Sequence, residues 1–301
     1  RLSRLALEVL GERPSPGALR AALGACAQAR QWQLAQRRLA ELLSRGPKPA
    51  LSALNAAIAA CESEQHWERA LQLLGGMLSR RCVPNLVTCN SVIACCSSGH
   101  QWRRAIWMLC KLPSLCLQPD VISYNATISA CERGERWEHS LELLAMLCRS
   151  QLQPTVVTLS TAVSACQRAQ DWERAVHLLM SMCARGPLPN VITYNATIGA
   201  CEKGLQWERS LHLLEDMQGS RAAADIISYA AAASACARGQ LWARTCWLLQ
   251  RMRRRRLEPD VVAWLFALGA CEAAGQGAQV LRLLPRLRRL AAGPLSGLGP
   301  R

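Results

Sequence analysis

Four residue types recur at fixed intervals in this chain, and on one helical face they could hold a flat, negatively charged strand. Branched apolar side chains stand at Val87, Ile122, Val157, Ile192, Ile227 and Val262. Amides and a hydroxyl follow at Asn55, Asn90, Asn125, Ser160 and Asn195. Small residues come next, at Ala59, Ala94, Ser129, Ser164, Gly199 and Ser234, and then cations at Arg133, Arg168, Lys203 and Arg238. Branched side chains can sandwich the faces of bases, and an amide or hydroxyl can bond a base edge. Small residues permit close approach, and cations neutralise phosphates. Other roles compete. The branched residues could pack between neighbouring units, Asn could serve local helix-start chemistry, and the cations could be merely solvated. Four types recurring together on one face favour binding.

The elements that must position these residues follow from a period of 35 residues. Cys26, Cys61, Cys96, Cys131, Cys166, Cys201, Cys236 and Cys271 mark it, as do Trp32, Trp67, Trp102, Trp137, Trp172, Trp207 and Trp242. Pro49, Pro84, Pro119, Pro154, Pro189 and Pro259 keep the same register. A fixed period of this size signals a solenoid. In the unit 121–155, Tyr124, Thr127, Ile128 and Cys131 fall on one side of a 3.6-residue wheel, and Ile122, Asn125, Ser129 and Arg133 on the other. Asp120 is placed to cap this first helix, and Gly134 to end it as glycine does just past a C-terminus. Trp137, Ser140, Leu141, Leu144 and Leu147 give a second amphipathic helix, stopped before Pro154. One hairpin cannot bury both apolar stripes alone, so hairpins must stack.

The motifs ValIleSerTyrAsn at 121–125 and ValIleThrTyrAsn at 191–195, the pairs Ala130-Cys131-Glu132 and Trp137-Glu138, and the Pro-Asp or Pro-Asn repeat ends resemble those of the pentatricopeptide repeat family. The resemblance covers nearly the whole chain. It implies an all-α, right-handed α-solenoid that binds single-stranded RNA, one base per repeat, in its concave groove. It also implies a role in organellar RNA metabolism (processing, stability, editing or translation) in a mitochondrion or plastid such as the chloroplast. In that family the fifth and last residues of a unit read the base together. Carried over, Asn55 with Asn85 implies a pyrimidine, Asn90 with Asp120 U, Asn125 with Thr155 a pyrimidine, Ser160 with Asn190 A, and Asn195 with Asp225 U. Ala230 with Asp260, Arg20 with Ala50 and Leu265 with Leu295 match no pair that can be read.

In chain order, 1–15 reads as the second helix of a partial upstream repeat, which makes the sequence a fragment of something longer. Repeats follow at 16–50 (degenerate), 51–85, 86–120, 121–155, 156–190, 191–225, 226–260 and 261–295, with a tail at 296–301. The 261–295 unit has Gly277 where the others carry Trp, and Pro285 is expected to cut its second helix, as suits a capping end.

A net charge of +15 and a pI near 9.5 favour a polyanionic partner. The sixteen cysteines contain no CxxC pair, and eight recur once per repeat on the core stripe, so packing of free thiols in a reducing compartment is expected. The histidines at 66, 100, 139, 177 and 212 form no constellation with acids or cysteines and are expected to be solvated. No phosphate-binding GxxxxGK[ST] loop, HExxH or GxSxG motif is present, and the zinc-deaminase pattern is missing. No catalytic residue, metal ligand or cofactor is therefore expected. The uncharged run 85–102 carries Asn90, Ser91, Ser97 and Ser98 and keeps the repeat register, so no membrane insertion is expected. A protein-interaction scaffold of the same solenoid class, with protein partners in the groove, is the alternative.

Overall fold

Gly, Trp and Pro punctuate the sequence into helix-length segments, and a computed structural model of the chain turns each described segment into a helix. It describes residues 51–62, 66–80, 82–220 and 222–291. The expected units 1–15 and 16–50, with Arg20, Cys26, Trp32 and Ala50, lie outside these residues, as do Leu295 and the tail. First helices are α1 (Leu51–Glu62), α3 (Leu86–Ser98), α5 (Val121–Arg133), α7 (Val156–Arg168), α9 (Val191–Lys203), α11 (Ile226–Arg238) and α13 (Val261–Ala273). Second helices are α2 (Trp67–Ser79), α4 (Trp102–Lys111), α6 (Trp137–Arg149), α8 (Trp172–Arg185), α10 (Trp207–Gly219), α12 (Trp242–Arg254) and α14 (Gly277–Ala291). A 3-10 turn, Leu112–Leu115, extends α4. No described helix is long and apolar enough to cross a membrane.

Packing divides the chain into two compact units that meet within α7, between Thr161 and Ala162. In the first, α3 packs on α1 and α5, while α2 and α4 each bridge their own first helix and the next one. Tyr124, Thr127, Ile128 and Cys131 are buried, and Leu143, Leu144 and Leu147 come to them from α6. In the second unit, α11 packs on α9 and α13, with α10 and α12 filling the outer positions. Its core runs through Leu179, Tyr194, Ile198, Leu214, Met217, Tyr229, Leu249, Met252 and Trp264.

The first helices end in a way the sequence only half discloses. Gly134 does follow the last residue of α5, but its φ is −82°, which any residue adopts. The left-handed residue is Glu135, at φ 56°. Glu135 N–H donates to the Glu132 carbonyl and Arg136 N–H to the Cys131 carbonyl, which is the paired closure of a Schellman motif. His100, Gln170, Leu205 and Gln240 take the same conformation in their turns. Glycine is needed at 134 for a different reason. A Cβ there would lie 2.5 Å from Cδ1 of Trp102, on the preceding second helix. Gly99 stands in the same relation to Trp67, Gly204 to Trp172 and Gly239 to Trp207. Guanidinium groups sit over the same rings: Arg104 is 4.1 Å from the Trp67 centroid, Arg209 4.2 Å from Trp172 and Arg244 4.6 Å from Trp207. The periodic tryptophan is thus held by a glycine and an arginine of the following hairpin, which ties neighbours together.

Two expectations are corrected here. Pro285 does not cut its helix, because α14 runs from Gly277 to Ala291 with Pro285 inside. Proline removes one N–H from the ladder, and the carbonyl that loses it belongs to Leu281, which is 70% exposed, where water can replace the bond. His139 is not solvated either. It is half-buried, its ring meets the Trp102 ring edge-on at 5.1 Å, and its Nδ1 is enclosed without a hydrogen-bond partner.

The cysteines at 61, 96, 131, 166, 201, 236 and 271 are buried free thiols. Burial pushes the Cys131 thiol up to about 12 and that of Cys201 up to about 11. Among the described residues, no group of His, Cys, Asp or Glu is placed to hold a metal ion.

Candidate nucleic-acid interface

From α3 onward each first helix begins with a capping side chain, and that side chain is also the last residue of the preceding unit. Asp120 Oδ1 accepts the Ser123 N–H at 2.8 Å, and Asp225 Oδ1 accepts the Ser228 N–H at 2.9 Å. Asn85 caps α3 at 2.9 Å, Asn190 caps α9 at 2.9 Å, and Asp260 caps α13 at 2.8 Å. Thr155 accepts the Thr158 N–H more loosely, at 3.3 Å. These are ordinary N-cap bonds, each satisfying a donor that the helix cannot.

The fifth residue of the preceding first helix reaches the same cap. In the first unit, Asn90 Nδ2 donates to Asp120 Oδ1 at 3.2 Å, and Asn125 Nδ2 donates to Thr155 Oγ1 at 3.4 Å. In the second, Asn195 Nδ2 donates to both Asp225 oxygens, at 3.2 and 3.4 Å. The amide oxygen is bound as well. The Ser123 hydroxyl donates to Asn90 Oδ1 at 2.6 Å, Thr158 to Asn125 Oδ1 at 2.5 Å, Ser228 to Asn195 Oδ1 at 2.5 Å and Thr88 to Asn55 Oδ1 at 2.6 Å. With oxygen towards a hydroxyl and nitrogen towards a carboxylate, the amides of Asn90 and Asn195 each have one orientation that satisfies both neighbours.

Sequence reasoning missed these hydroxyls. Thr88, Ser123, Thr158, Thr193 and Ser228 lie one period apart, and every one is fully buried. The period was there to be read. A serine or threonine within the first turn of a helix looks like ordinary cap chemistry, though, and nothing local reveals that it reaches back to the preceding helix.

The carboxylates are tuned by this arrangement. Burial raises the Asp120 carboxyl, but bonds from the Ser123 N–H, the Ser123 hydroxyl and the Asn90 amide outweigh it and hold the group below the usual carboxylate value. Asp225 is lowered in the same way by Ser228 and Asn195. A depressed carboxyl stabilises the fold at neutral pH, and that contribution is lost as pH falls through its lowered pKa. Both groups therefore stay anionic at neutral pH. All three bonds to Asp120 land on Oδ1 and none of them on Oδ2.

Flanking these pairs stands a row of exposed branched side chains. In the first unit Val87, Ile122 and Val157 are 59, 63 and 62% exposed. In the second, Ile192, Ile227 and Val262 are likewise exposed. Such residues normally seek the core, and a regular exposed series marks a surface that something covers. Each shares a helical face with the fifth residue, one turn on. Asn55, Asn90, Asn125 and Asn195 are all half-buried. The expected pairs are not all alike. Ser160 is buried. Ala230 has no group to offer Asp260, and Ala263 supplies no hydroxyl beneath it. Arg133, Arg168, Lys203 and Arg238 are exposed near the ends of their helices. Arg238 also donates to the Glu202 carbonyl at 3.4 Å.

Family models match these same segments. A pentatricopeptide repeat domain matches residues 142–203, and single repeats match residues 87–117, 122–152 and 192–221. No curated protein matches the chain by sequence. Among solved structures, the chain is similar to the pentatricopeptide repeat protein PPR10 in complex with an 18-nt psaJ RNA element, with a TM-score of 0.79 at 16% identity. That match covers 98% of this chain and 42% of the other, so the chain spans less than half the length of this relative. PPR10 from maize gives a TM-score of 0.64 at 16% identity, over 95% of this chain and 45% of that one. The PPR domain of Arabidopsis thaliana protein-only RNase P 1, in complex with tRNA, gives 0.50 at 16% identity, over 55% of this chain and 86% of the other. At these identities the likeness carries the fold, an α-solenoid, and the family matches identify the hairpins within 87–117 and 122–221 as pentatricopeptide repeats.

Proposed function

We propose that the chain binds single-stranded RNA along its first helices, one base to each repeat, with units running 51–85, 86–120, 121–155, 156–190, 191–225 and 226–260. The observation that carries this is the amide–acid pair held beside an exposed branched residue, as in Asn90–Asp120 with Ile122 and Asn195–Asp225 with Ile227. The branched residue offers an apolar face to a base. The pair offers its edge a fixed donor from the amide and a fixed acceptor from the carboxylate. Arg133, Arg168, Lys203 and Arg238 would neutralise phosphates along the strand. Two of the similar structures are complexes with RNA, which supports the same partner here. The family resemblance supports a role in the RNA metabolism of a mitochondrion or plastid, and binding would act by occupancy: a bound tract is shielded from nucleases or held unfolded.

In chain order the readable pairs specify pyrimidine-U-pyrimidine-A-U. Fluorescence anisotropy at physiological salt should show tighter binding to RNA containing CUCAU than to a composition-matched scramble or the DNA version. Equal binding to all three would reduce the face to a basic surface. No binding would favour the protein-scaffold reading.

Replacing Asn195 by threonine gives a sharper check. It removes the Nδ2 bonds to Asp225. Preference at the fifth base should move from U towards G, by about 1 kcal/mol or more for an exchanged edge contact. Unchanged preference in a panel of RNAs varied at that base would remove Asn195 from the reading set.

A further inference from the structure

The arginines 251 to 256 have no part in the face just described. Two of them are drawn together by a single amide. Arg251 Nη2 donates to Gln218 Oε1 at 2.7 Å, and Arg255 Nη2 donates to the same oxygen at 2.8 Å. Two bonds to one oxygen cap the separation of the two nitrogens at their combined length, so two like charges are held side by side. Gln218 is itself oriented, because its Nε2 donates to the hydroxyl of Tyr229 at 3.2 Å, and Tyr229 is fully buried in α11. Arg251 is held further by the Trp247 ring, 4.8 Å from its guanidinium carbon, and by Glu215 at 3.7 Å. Arg253, Arg254 and Arg256 add exposed positive charge around the pair.

Converging two guanidinium groups is unfavourable unless an anion sits between them. A solvated arginine run would spread its side chains. This pair is built instead on Gln218, which buried Tyr229 orients; Arg251 also meets Glu215, so the more open fork is that of exposed Arg255, and such a fork fits phosphate oxygens two at a time. The location narrows the partner. Gln218 sits in the last turn of α10 and Arg255 just past α12, at the ends from which the chain turns into α11 and α13, the helices capped by Asp225 and Asp260. That is the edge of the repeat on which the base-reading pairs stand.

We propose that Arg251 and Arg255, converged by Gln218, form a phosphodiester site that grips the backbone of the bound RNA beside its base-reading face. The inference rests on the RNA-binding reading, but it does not require that bases be read in order.

The test uses the full chain and a labelled RNA containing CUCAU with single-stranded flanks, titrated over a range of salt. Thermal melting monitors folding. The double variant R251Q/R255Q should lower the slope of log K against log salt by about 0.7 for each phosphate released. Ordered and scrambled RNA should weaken by the same factor, since a backbone contact carries no sequence information. The variant Gln218→Ala keeps every charge and should lose part of the same affinity, because the two forks no longer converge. It also carries the test if the double variant melts at ambient temperature.

Wild-type slope and affinity in both variants would overturn the site while leaving ordered RNA preference intact. Loss in the double variant with Gln218→Ala unaffected would also overturn it, since only general charge would then be at work. Variants that lose RNA affinity while the wild type shows no preference for order would sink the base-reading instead and support the site. Vesicles of phosphatidylserine provide the last arm. Arginine-dependent vesicle binding with an unchanged RNA slope would assign the cluster to a membrane and overturn the proposal.

Discussion

Replacing Gly134 by valine is expected to cost about 2 kcal/mol of stability, the middle of the range for overpacking a filled site. The added Cβ would lie 2.5 Å from Trp102 Cδ1, 3.0 Å from Cγ and 3.2 Å from the Ala130 carbonyl oxygen. The ring has little room to retreat. His139 meets its edge at 5.1 Å, and Arg136 lies 5.4 Å from its centroid. Gly134, Arg136 and His139 all belong to the hairpin that follows Trp102, so the strain falls on the interface between two repeats. In an array stabilised by nearest-neighbour interfaces, weakening one lowers the cooperativity that joins its flanks. Urea denaturation should show the midpoint falling by about 1 M for a typical dependence on denaturant. Trp102→Leu on its own loses stability too. Combined with Gly134→Val it should cost less than the two single changes together, because the smaller side chain leaves space for the new methyls. A midpoint equal to wild type for Gly134→Val would mean that the ring moves freely and that the glycine has another purpose. The chain itself carries Ala274 one period after Gly239, so a single methyl can be accommodated when neighbours adapt. Valine is the stronger test for that reason.

The same glycine marks how far sequence alone reaches. Gly134 correctly located the end of α5, because a glycine after an apolar stripe is a strong boundary signal. It did not reveal that Glu135 takes the left-handed turn or that Trp102 fills the missing side chain, since both depend on the next hairpin's position. Pro285 failed as a breaker because one lost bond at an exposed site is cheap to replace with water, and sequence does not show which carbonyls are exposed. Tyr124, Thr127, Ile128 and Cys131 were legible as core because a buried face writes itself directly into a 3.6-residue pattern. The exposed face was legible as four residue types. Its internal bonding was not. Asn90 and Asp120 stand far apart in the chain, and Ser123, which links them, sits on the buried side of its own helix. The arginine run was visible as charge, but Gln218 carries no pattern that marks it as the residue drawing two of those arginines together.

Ser123 therefore offers the prediction that best separates recognition from architecture. Its hydroxyl is fully buried and lies 2.6 Å from Asn90 Oδ1, 2.9 Å from Asp120 Oδ1 and 3.3 Å from the Asp120 N–H. Ser123→Ala leaves the Asn90 amide oxygen and the Asp120 N–H without this partner, and an unsatisfied group of that kind costs about 1–3 kcal/mol. Stability should fall by that order. The Ser123 N–H bond to Asp120 survives, so α5 keeps its cap and the hairpin should still form. The second consequence concerns selectivity. Without the hydroxyl the Asn90 amide has a single fixed neighbour, Asp120, and its oxygen can turn outward. Discrimination at the second base of CUCAU should then shrink, with up to about tenfold lost for each 1.4 kcal/mol of edge contact that is no longer oriented. Discrimination at the fifth base, which the proposal assigns to Asn195 and Asp225, should be untouched. Ser123→Thr should restore both properties, because threonine occupies the equivalent place at Thr88, Thr158 and Thr193. If Ser123→Ala is destabilised yet keeps its preference at the second base, the hydroxyl is a structural strut alone. Asn90 would then be oriented by the carboxylate of Asp120 without help from below.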